Sequence, residues 1–320
     1  MSRVIGFENI DDYLGPSEAR FFGSGYRRAE YDLGPVRQDG GAFRGVASIF
    51  YPSDWSKKKA GVDLRPHLST VDTMILGAEY TELLLAASYG LTAAQRRGAS
   101  IRKVVIQAGT QPEESLHSVA IEAQITKCNV LGNGRAETTS RVQIGRMRTR
   151  LVVNHEQADD SVSALSDTLQ IGDVLDPAPT RYWGSGFRFG RQSIGPVTVD
   201  VDSLSATGGL KLVNLPDDVT FGLGGRPCGP TPVDAFVSVL QLAQVLMYEM
   251  DSISRADSGT LWMQQVTLAL DDTLDDTGEV NVDITGSQLL DLPDGRWRNV
   301  NFSGTAGQFT LSCLFAHRLP

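Results

Sequence analysis

The segment from Leu14 to Arg27 reads LGPSEARFFGSGYR, and the segment from Leu175 to Arg188 reads LDPAPTRYWGSGFR. Proline, arginine, glycine, serine, glycine and arginine occur at the same places in both, and aromatic residues replace each other at three more. Each identity has a chance of about one in fifteen at average residue usage. The chain therefore contains an internal duplication, with a shift of 161 residues from Pro16 to Pro177.

The duplication extends along the whole chain. After a slip of one residue the shift becomes 162, as from His155 to His317. Such a period is far longer than the about 20 to 50 residues of solenoid repeats, which favours two domain-sized units. We predict a first half at residues 1–158 and a second half at residues 159–320, related by pseudo-twofold symmetry like the subunits of a homodimer.

Composition limits the class of protein. The 320 residues carry 29 basic and 38 acidic side chains, a net charge of −9, which disfavours nonspecific nucleic-acid binding. The cysteines Cys128, Cys228 and Cys313 are odd in number and lack CxxC spacing, which predicts neither a disulfide framework nor a zinc site. The chain shows no signal-peptide pattern and no uninterrupted apolar stretch of about 18 residues. We therefore expect a soluble, cytoplasmic protein without a membrane partner.

Each half contains one strongly predicted helix, at residues 71–88 and 233–250. Hydroxyl residues precede both helices, and Pro232 suits the first helical position of the second. This second helix is apolar on nearly all sides, which is typical of a buried helix.

Segments with alternating β-branched or aromatic and polar residues predict strands around these helices. The predicted strands are 42–51, 101–108, 118–130, 136–153, 197–202, 261–270, 280–284, 297–302 and 308–316. A long buried helix and a set of antiparallel strands, present twice, indicate an α+β fold. We predict a double hot dog, in which each half wraps a curved antiparallel sheet around its long central helix.

The second helix carries polar residues on one face, at steps of four, three and three. This polar stripe consists of Asp234, Ser238, Gln241 and Gln244, and its counterparts in the first helix are Asp72, Glu79 and Glu82. A polar stripe on a buried helix in both copies predicts that these residues face a substrate tunnel and bind substrate. The alternative is that the stripe points to solvent at the edge of the sheet.

The residues just before the two helices are candidates for catalysis. The sequence Arg-Pro-His ends at His67 before the first helix, and Arg-Pro-Cys ends at Cys228 before the second. In a twofold arrangement a residue entering one helix can face the start of the other, which pairs His67 with Asp234. Imidazole titrates near neutrality, so this pair forms an acid/base couple. The matching pair, Cys228 with Asp72, predicts an eroded site.

Structural explanations of these residues remain open. Both aspartates lie three residues after a Ser or Thr at the helix start, where an acid favours the helix by about 0.3 to 1 kcal/mol. His67 can be an ordinary loop histidine. Cys228 can instead be an acyl-accepting nucleophile, because a helix start lowers the pKa of a thiol.

The repeated loops, Leu14–Arg27 and Leu175–Arg188, hold the arginines Arg20, Arg27, Arg181 and Arg188. Repetition alone does not separate folding from binding, since duplication preserves both. A structural role is favoured, in which the glycines allow unusual backbone angles and the arginines stack on Phe22 or Trp183.

Residues 67–87, HLSTVDTMILGAEYTELLLAA, resemble the polyketide-synthase dehydratase segment HxxxGxxxxPGxxYxELxLAA. The resemblance puts His67 on the catalytic histidine and Gly77 on the second glycine, beside the substrate. Residues 232–238, PVDAFVS, are similar to the PxLLDAALQ segment, which puts Asp234 on the catalytic acid. Val71, Leu76 and Ser238 depart from these motifs, so the fold and pocket carry over better than dehydration does.

The opening LGPSEARFFGSGYRRAEYDL, its repeat at Leu175 and the total length resemble the avirulence D (AvrD) family of syringolide synthases. The resemblance implies an acyltransferase that condenses a β-ketoacyl thioester, on acyl carrier protein or coenzyme A, with a pentulose such as xylulose. The product is a butenolide-type lactone signal. The alternatives are a dehydratase for 3-hydroxyacyl thioesters and a non-catalytic small-molecule-binding protein. No cofactor or metal is predicted, and the oligomeric state stays open, with a homodimer as one option.

Overall fold

The computed structural model describes residues 3–56, 65–157, 167–213, 223, 229–259, 261–293 and 295–320. Its two long helices are α2 (Thr70–Tyr89) and α5 (Pro232–Asp251), within one residue of the predicted bounds. Three short helices are α1 (Ile10–Leu14), α3 (Ala93–Arg97) and α4 (Ile171–Val174).

The strands form one sheet in which the paired neighbours are antiparallel. They are β1 (Val4–Phe7), β2 (Glu30–Leu33), β3 (Val36–Asp39), β4 (Ala42–Phe50), β5 (Ser100–Gln107), β6 (Val119–Gly132), β7 (Arg135–Ile144), β8 (Met147–Glu156), β9 (Thr168–Leu169), β10 (Arg191–Asp200), β11 (Ser205–Val213), β12 (Leu261–Leu270), β13 (Glu279–Leu292), β14 (Gly295–Ala306) and β15 (Phe309–Arg318). Their order is β1-β10-β11-β13-β14-β15-β12-β5-β8-β7-β6-β4-β3-β9, with β2 paired to β4.

The two halves join where β12 pairs with β5. In this pair Val105 lies opposite Thr267, and these two residues are equivalent under the 162-residue shift. Equivalent residues can face each other in an antiparallel pair only at a twofold axis. The pseudo-twofold relation of the duplicated sequence is therefore present in the sheet itself.

The ends of the sheet are exchanged between the halves. Strand β1 pairs with β10, with Val4 opposite Asp200, and strand β9 pairs with β3, with Leu169 opposite Val36. Each half thus adds its own first strand to the far edge of the other half.

Both long helices are buried against strands of their own half. Helix α2 contacts β6, β7 and β8, and helix α5 contacts β11, β13 and β14. Each starts with a capping box, Ser69 with Asp72 and Thr231 with Asp234. Helix α5 is long and apolar enough to cross a bilayer, but 83% of that segment is buried in the protein, as in a core helix.

Several strands differ from the predictions, and the short strands β1, β2, β3 and β9 were not predicted. The segment predicted as a single strand at 136–153 is the hairpin β7–β8, because Gly145 takes a positive φ of 49° at the turn. Strand β11 was missed, since Gly208 and Gly209 interrupt its β-branched pattern.

Candidate functional site

A cavity of about 380 Å³ opens beside the start of helix α2. The first half contributes His67, Ser69 and Thr70 to its wall, and the second half contributes Gln244 from α5 and Met263 from β12. Aromatic and thioether side chains make much of the remaining surface, namely Phe21, Phe22, Trp55, Met147, Trp262 and Phe315. Five charged side chains complete the lining, namely Arg20, Arg65, Glu113, Glu114 and Arg255. The cavity therefore combines an apolar surface with polar and charged groups that can orient a ligand.

His67 lies partly buried in this wall, in the loop that leads into α2. Its ring meets the Trp55 ring edge to face, with centroids 6.4 Å apart. The Nδ1 atom lies 3.4 Å from the carbonyl oxygen of Arg65. A carbonyl oxygen only accepts, so this contact needs the proton on Nδ1 and leaves Nε2 as the basic nitrogen.

The first turn of α2 borders the same cavity. Ser69 accepts from the amide of Asp72 at 3.1 Å through its hydroxyl, and from the amide of Thr73 at 3.0 Å through its carbonyl. Within the described residues, the amides of Thr70 and Val71 have no hydrogen-bond partner. Free amides and the positive end of the helix dipole suit an oxyanion.

The predicted couple of His67 with Asp234 is not formed. Within the part of the chain that the structure describes, no hydrogen bond or ion pair joins them, and Asp234 does not line the cavity. The Asp234 carboxylate instead accepts from the amide and hydroxyl of Thr231, at 3.1 and 2.7 Å. Burial raises the pKa of this carboxyl, against the lowering effect of these hydrogen bonds. Local capping holds the acid at its own helix start.

Asp72 is held in the same way at the start of α2. Its carboxylate accepts hydrogen bonds from the hydroxyls of Tyr31, at 2.7 Å, and Tyr51. It also accepts from the amide of the N-cap residue Ser69 at 2.8 Å. Burial raises its pKa. Asp72 does not line the cavity, and the expected partner Cys228 lies outside the described residues.

The middle of the polar stripe is bound by arginines of the repeated loops. Arg20 donates to Gln241 at 2.6 Å, and Arg181 donates to Glu79 at 2.6 Å. Under the shift of 162 residues Gln241 is the equivalent of Glu79. In each half, therefore, an arginine of the repeated loop binds the same position on the long helix of the other half. The stripe is therefore neither a tunnel wall nor a solvent edge over most of its length.

The remaining predicted substrate-binding residues are distributed differently. Glu82 is bound by Arg96, at 3.3 Å, and Ser238 is fully buried away from the cavity lining. Gly77 gives space for the close approach of β8, since a Cβ there would lie 2.4 Å from Cγ2 of Thr149. Gln244 is the stripe residue that lines the cavity.

The glycines of the two Gly-Ser-Gly segments serve close backbone contact and do not take a positive φ. A Cβ on Gly23 would lie 2.4 Å from the Ser17 carbonyl oxygen, and one on Gly184 would lie 2.4 Å from the Ala178 carbonyl oxygen. The second arginine of each loop stacks on the loop's own aromatic ring, Arg27 on Tyr26 and Arg188 on Phe187, and not on Phe22 or Trp183 as predicted.

Sequence reasoning missed the apolar wall of the cavity. Phe22 recurs as Trp183 in the duplication, which was a usable signal. Met263 gave no such signal, because it reaches the site through the pairing of β12 with β5 across the two halves.

A family model described as Pseudomonas avirulence D protein (AvrD) matches residues 5–320. No curated protein matches the sequence. Similar solved structures include a tesB protein of Mycobacterium avium subs paratuberculosis, at 11% identity over 89% of this chain and 95% of that chain, with a TM-score of 0.38. A protein of unknown function with a hot dog fold from Alicyclobacillus acidocaldarius has 12% identity, coverages of 89% and 96%, and a TM-score of 0.39. Such scores carry no argument about chemistry.

Proposed function

The chain belongs to the AvrD family, and from this premise we propose that it is a double hot-dog acyltransferase. It joins a β-ketoacyl thioester, delivered on acyl carrier protein or coenzyme A, to a small sugar such as xylulose. The product is a lactone-type signal of the syringolide kind.

The observation that carries this proposal is the placing of His67 and the first turn of α2 in one largely apolar cavity. An acyl chain matches the aromatic and thioether surface, and a thioester carbonyl needs a donor such as the free amide of Thr70 in the cavity wall. A sugar hydroxyl needs a base to become a nucleophile, and Nε2 of His67 is available for this.

In the proposed transfer, a hydroxyl oxygen of the sugar attacks the thioester carbonyl carbon as His67 takes the hydroxyl proton. The oxyanion forms against the amide of Thr70, at the positive end of the α2 dipole. The C–S bond then breaks, and the leaving sulfur takes the proton from His67 and departs as a thiol. For ring closure His67 removes a proton from the carbon between the two carbonyls, that carbon attacks the sugar ketone, and water is lost.

A dehydratase is the weaker candidate. It needs a carboxylic acid beside the histidine to protonate the departing hydroxyl, and Asp234 is held at its own helix start instead. The carboxylates that do line the cavity, Glu113 and Glu114, are ion-paired with Arg146 and Arg65.

The test is to incubate the purified protein with a β-ketoacyl thioester and xylulose, and to follow thiol release and a new lactone by mass spectrometry. We expect product that depends on the sugar. We also expect His67→Ala to lower turnover by about 10²- to 10⁴-fold, the usual contribution of a general base. His117→Ala, at an exposed histidine outside the cavity, serves as the control. Absence of any sugar-dependent product would refute the proposed function.

A further inference from the structure

Gln244 differs from the other members of the polar stripe in facing the cavity. Gln244 is only 8% exposed and lines the cavity. Among the described residues its carboxamide has no hydrogen-bond partner, although the neighbouring stripe residue Gln241 is bound to Arg20. The carboxamide keeps contact with the space of the cavity, so a ligand bound there can supply its missing partner.

The equivalent position of the other half is closed by an ion pair. Glu82 occupies it, with Arg96 at 3.3 Å and Arg181 at 3.8 Å. The residue equivalent to Arg96 under the shift of 162 is Ser258, whose short side chain bonds Tyr248 and the Arg255 carbonyl. The space beside Gln244 is thus left to the cavity, whereas the space beside Glu82 is filled by protein.

The neighbours of Gln244 in the cavity wall indicate which part of a substrate it meets. The apolar residues Phe22, Met263 and Phe315 line the same cavity, as do the buried Arg20 and the half-buried Arg255, while the exposed residues Arg65 and Glu114 mark the outer end. An acyl chain extends into the apolar part and a sugar stays near the charged end. Gln244 therefore meets a polar atom on the acyl chain.

We propose that Gln244 selects the acyl substrate, by donating an N–H of its carboxamide to the 3-oxo oxygen of a β-ketoacyl thioester. This inference rests on the proposed function, since it assumes an acyl thioester in this cavity. A ketone oxygen accepts and cannot donate, which the amide N–H satisfies. A saturated chain would leave the amide unpaired, and sites built to hydrogen-bond a substrate discriminate strongly against analogues that lack the bonding atom.

The test compares two stable ligands, the 3-oxooctanoyl and octanoyl amides of a pantetheine arm, in which nitrogen replaces the thioester sulfur. Titration calorimetry gives the Kd of each. We expect the wild-type protein to bind the 3-oxo ligand at least about 10-fold more tightly, the worth of one well-placed hydrogen bond in a buried site. Gln244→Met, which nearly keeps the side-chain volume, should bring the two Kd values within about 2-fold of each other.

The thermal midpoint gives a second readout. Gln244→Met removes a side chain that bonds no other described residue, so its Tm should stay close to that of the wild type, whereas loss of a structural glutamine would lower the Tm. The matched control is Gln264→Met on β12, next to Met263 but outside the cavity and bonded to Asn299. It should keep the 3-oxo preference.

Several outcomes would overturn the inference: equal binding of both ligands by the wild type, or equal weakening of both by Gln244→Met. If Gln244→Met does not fold, Gln244→Glu decides, because an ionised carboxylate has no N–H and must also lose the preference. Binding of neither ligand by the wild type would refute the acyl-thioester site itself, and the inference with it.

Discussion

Arg181 and Glu79 form a buried ion pair between the two halves, with Nη2 donating to Oε1 at 2.6 Å and the side chains 2% and 3% exposed. Arg20 of the first half makes the equivalent contact, donating to Gln241 of the second half. Each half therefore binds the long helix of the other half through the arginine of its repeated loop.

Removing the Arg181 guanidinium should destabilise the protein severely. Arg181→Ala leaves the carboxylates of Glu79 and Glu82 buried without their main counter-charge, and breaking a buried pair in this way costs about 3 to 5 kcal/mol. Urea denaturation measures the free energy of unfolding. Arg296→Ala, which breaks an exposed pair with Asp291, should cost less than about 1 kcal/mol. Similar losses for both variants would contradict this prediction.

Stability should depend on pH through the buried Asp234 carboxyl. Burial raises its folded-state pKa above the ordinary value of 3.8. Between these two values the folded state binds more protons than the unfolded state, so the contribution of Asp234 to stability falls as pH rises from 3.8 through the raised pKa. As pH rises across that window, the free energy of unfolding of the wild type should fall relative to that of Asp234→Asn. Above the raised pKa, the difference between the two proteins should stay constant. Urea titrations of both proteins at a series of pH values test this, and a difference that grows in the opposite direction would refute it.

Turnover should separate Asp234 from His67. Asp234→Asn keeps a side-chain oxygen for Thr231 and leaves the cavity wall unchanged, so we expect turnover within about 3-fold of wild type, with a cap-sized stability loss of about 0.5 to 2 kcal/mol at most. Steady-state kinetics under the conditions used for His67→Ala provide the comparison. A loss as large as that of His67→Ala would restore Asp234 as a catalytic acid.

The glycines of the repeated loop should not accept a side chain. A Cβ on Gly25 would lie 2.2 Å from the Trp55 carbonyl oxygen, and backbone must move to relieve such a contact. We expect Gly25→Ala to cost about 1 to 3 kcal/mol, as overpacking usually does. Gly172→Ala in α4, where a Cβ meets nothing within 4 Å, is the matched control and should be nearly neutral. Equal falls in the urea midpoints of Gly25→Ala and Gly172→Ala would contradict the close contact between Gly25 and the Trp55 carbonyl oxygen.

The long helices and the twofold relation could be predicted from the sequence, because both depend on signals that are local or repeated. The start of α5 follows from Thr231, Pro232 and Asp234, and the symmetry follows from the copied loops. The partners of the polar stripe could not be predicted, since Arg181 and Glu79 are 102 residues apart and only the packed fold brings them together.

The predicted catalytic couple was not found for a related reason. Twofold geometry suggested that Asp234 faces His67. The carboxylate instead finds its hydrogen-bond partners locally, in the capping box with Thr231 three residues before it. The same capping pattern was visible in the sequence as the structural alternative. The position of Gln244 in the cavity wall could not be predicted. No sequence signal distinguishes it from Gln241, which is bound to Arg20.

The exchange of β1 and β9 between the halves bears on how the gene arose. A single ancestral unit would have left its opening strand and its arginine loop without a place on its own sheet, so it must have worked as a pair of identical chains with swapped arms. Fusion of the two copies made the partner covalent. Mutations could then differ between the two helices, so that Arg96 binds Glu82 in one half while Gln244 faces the cavity in the other.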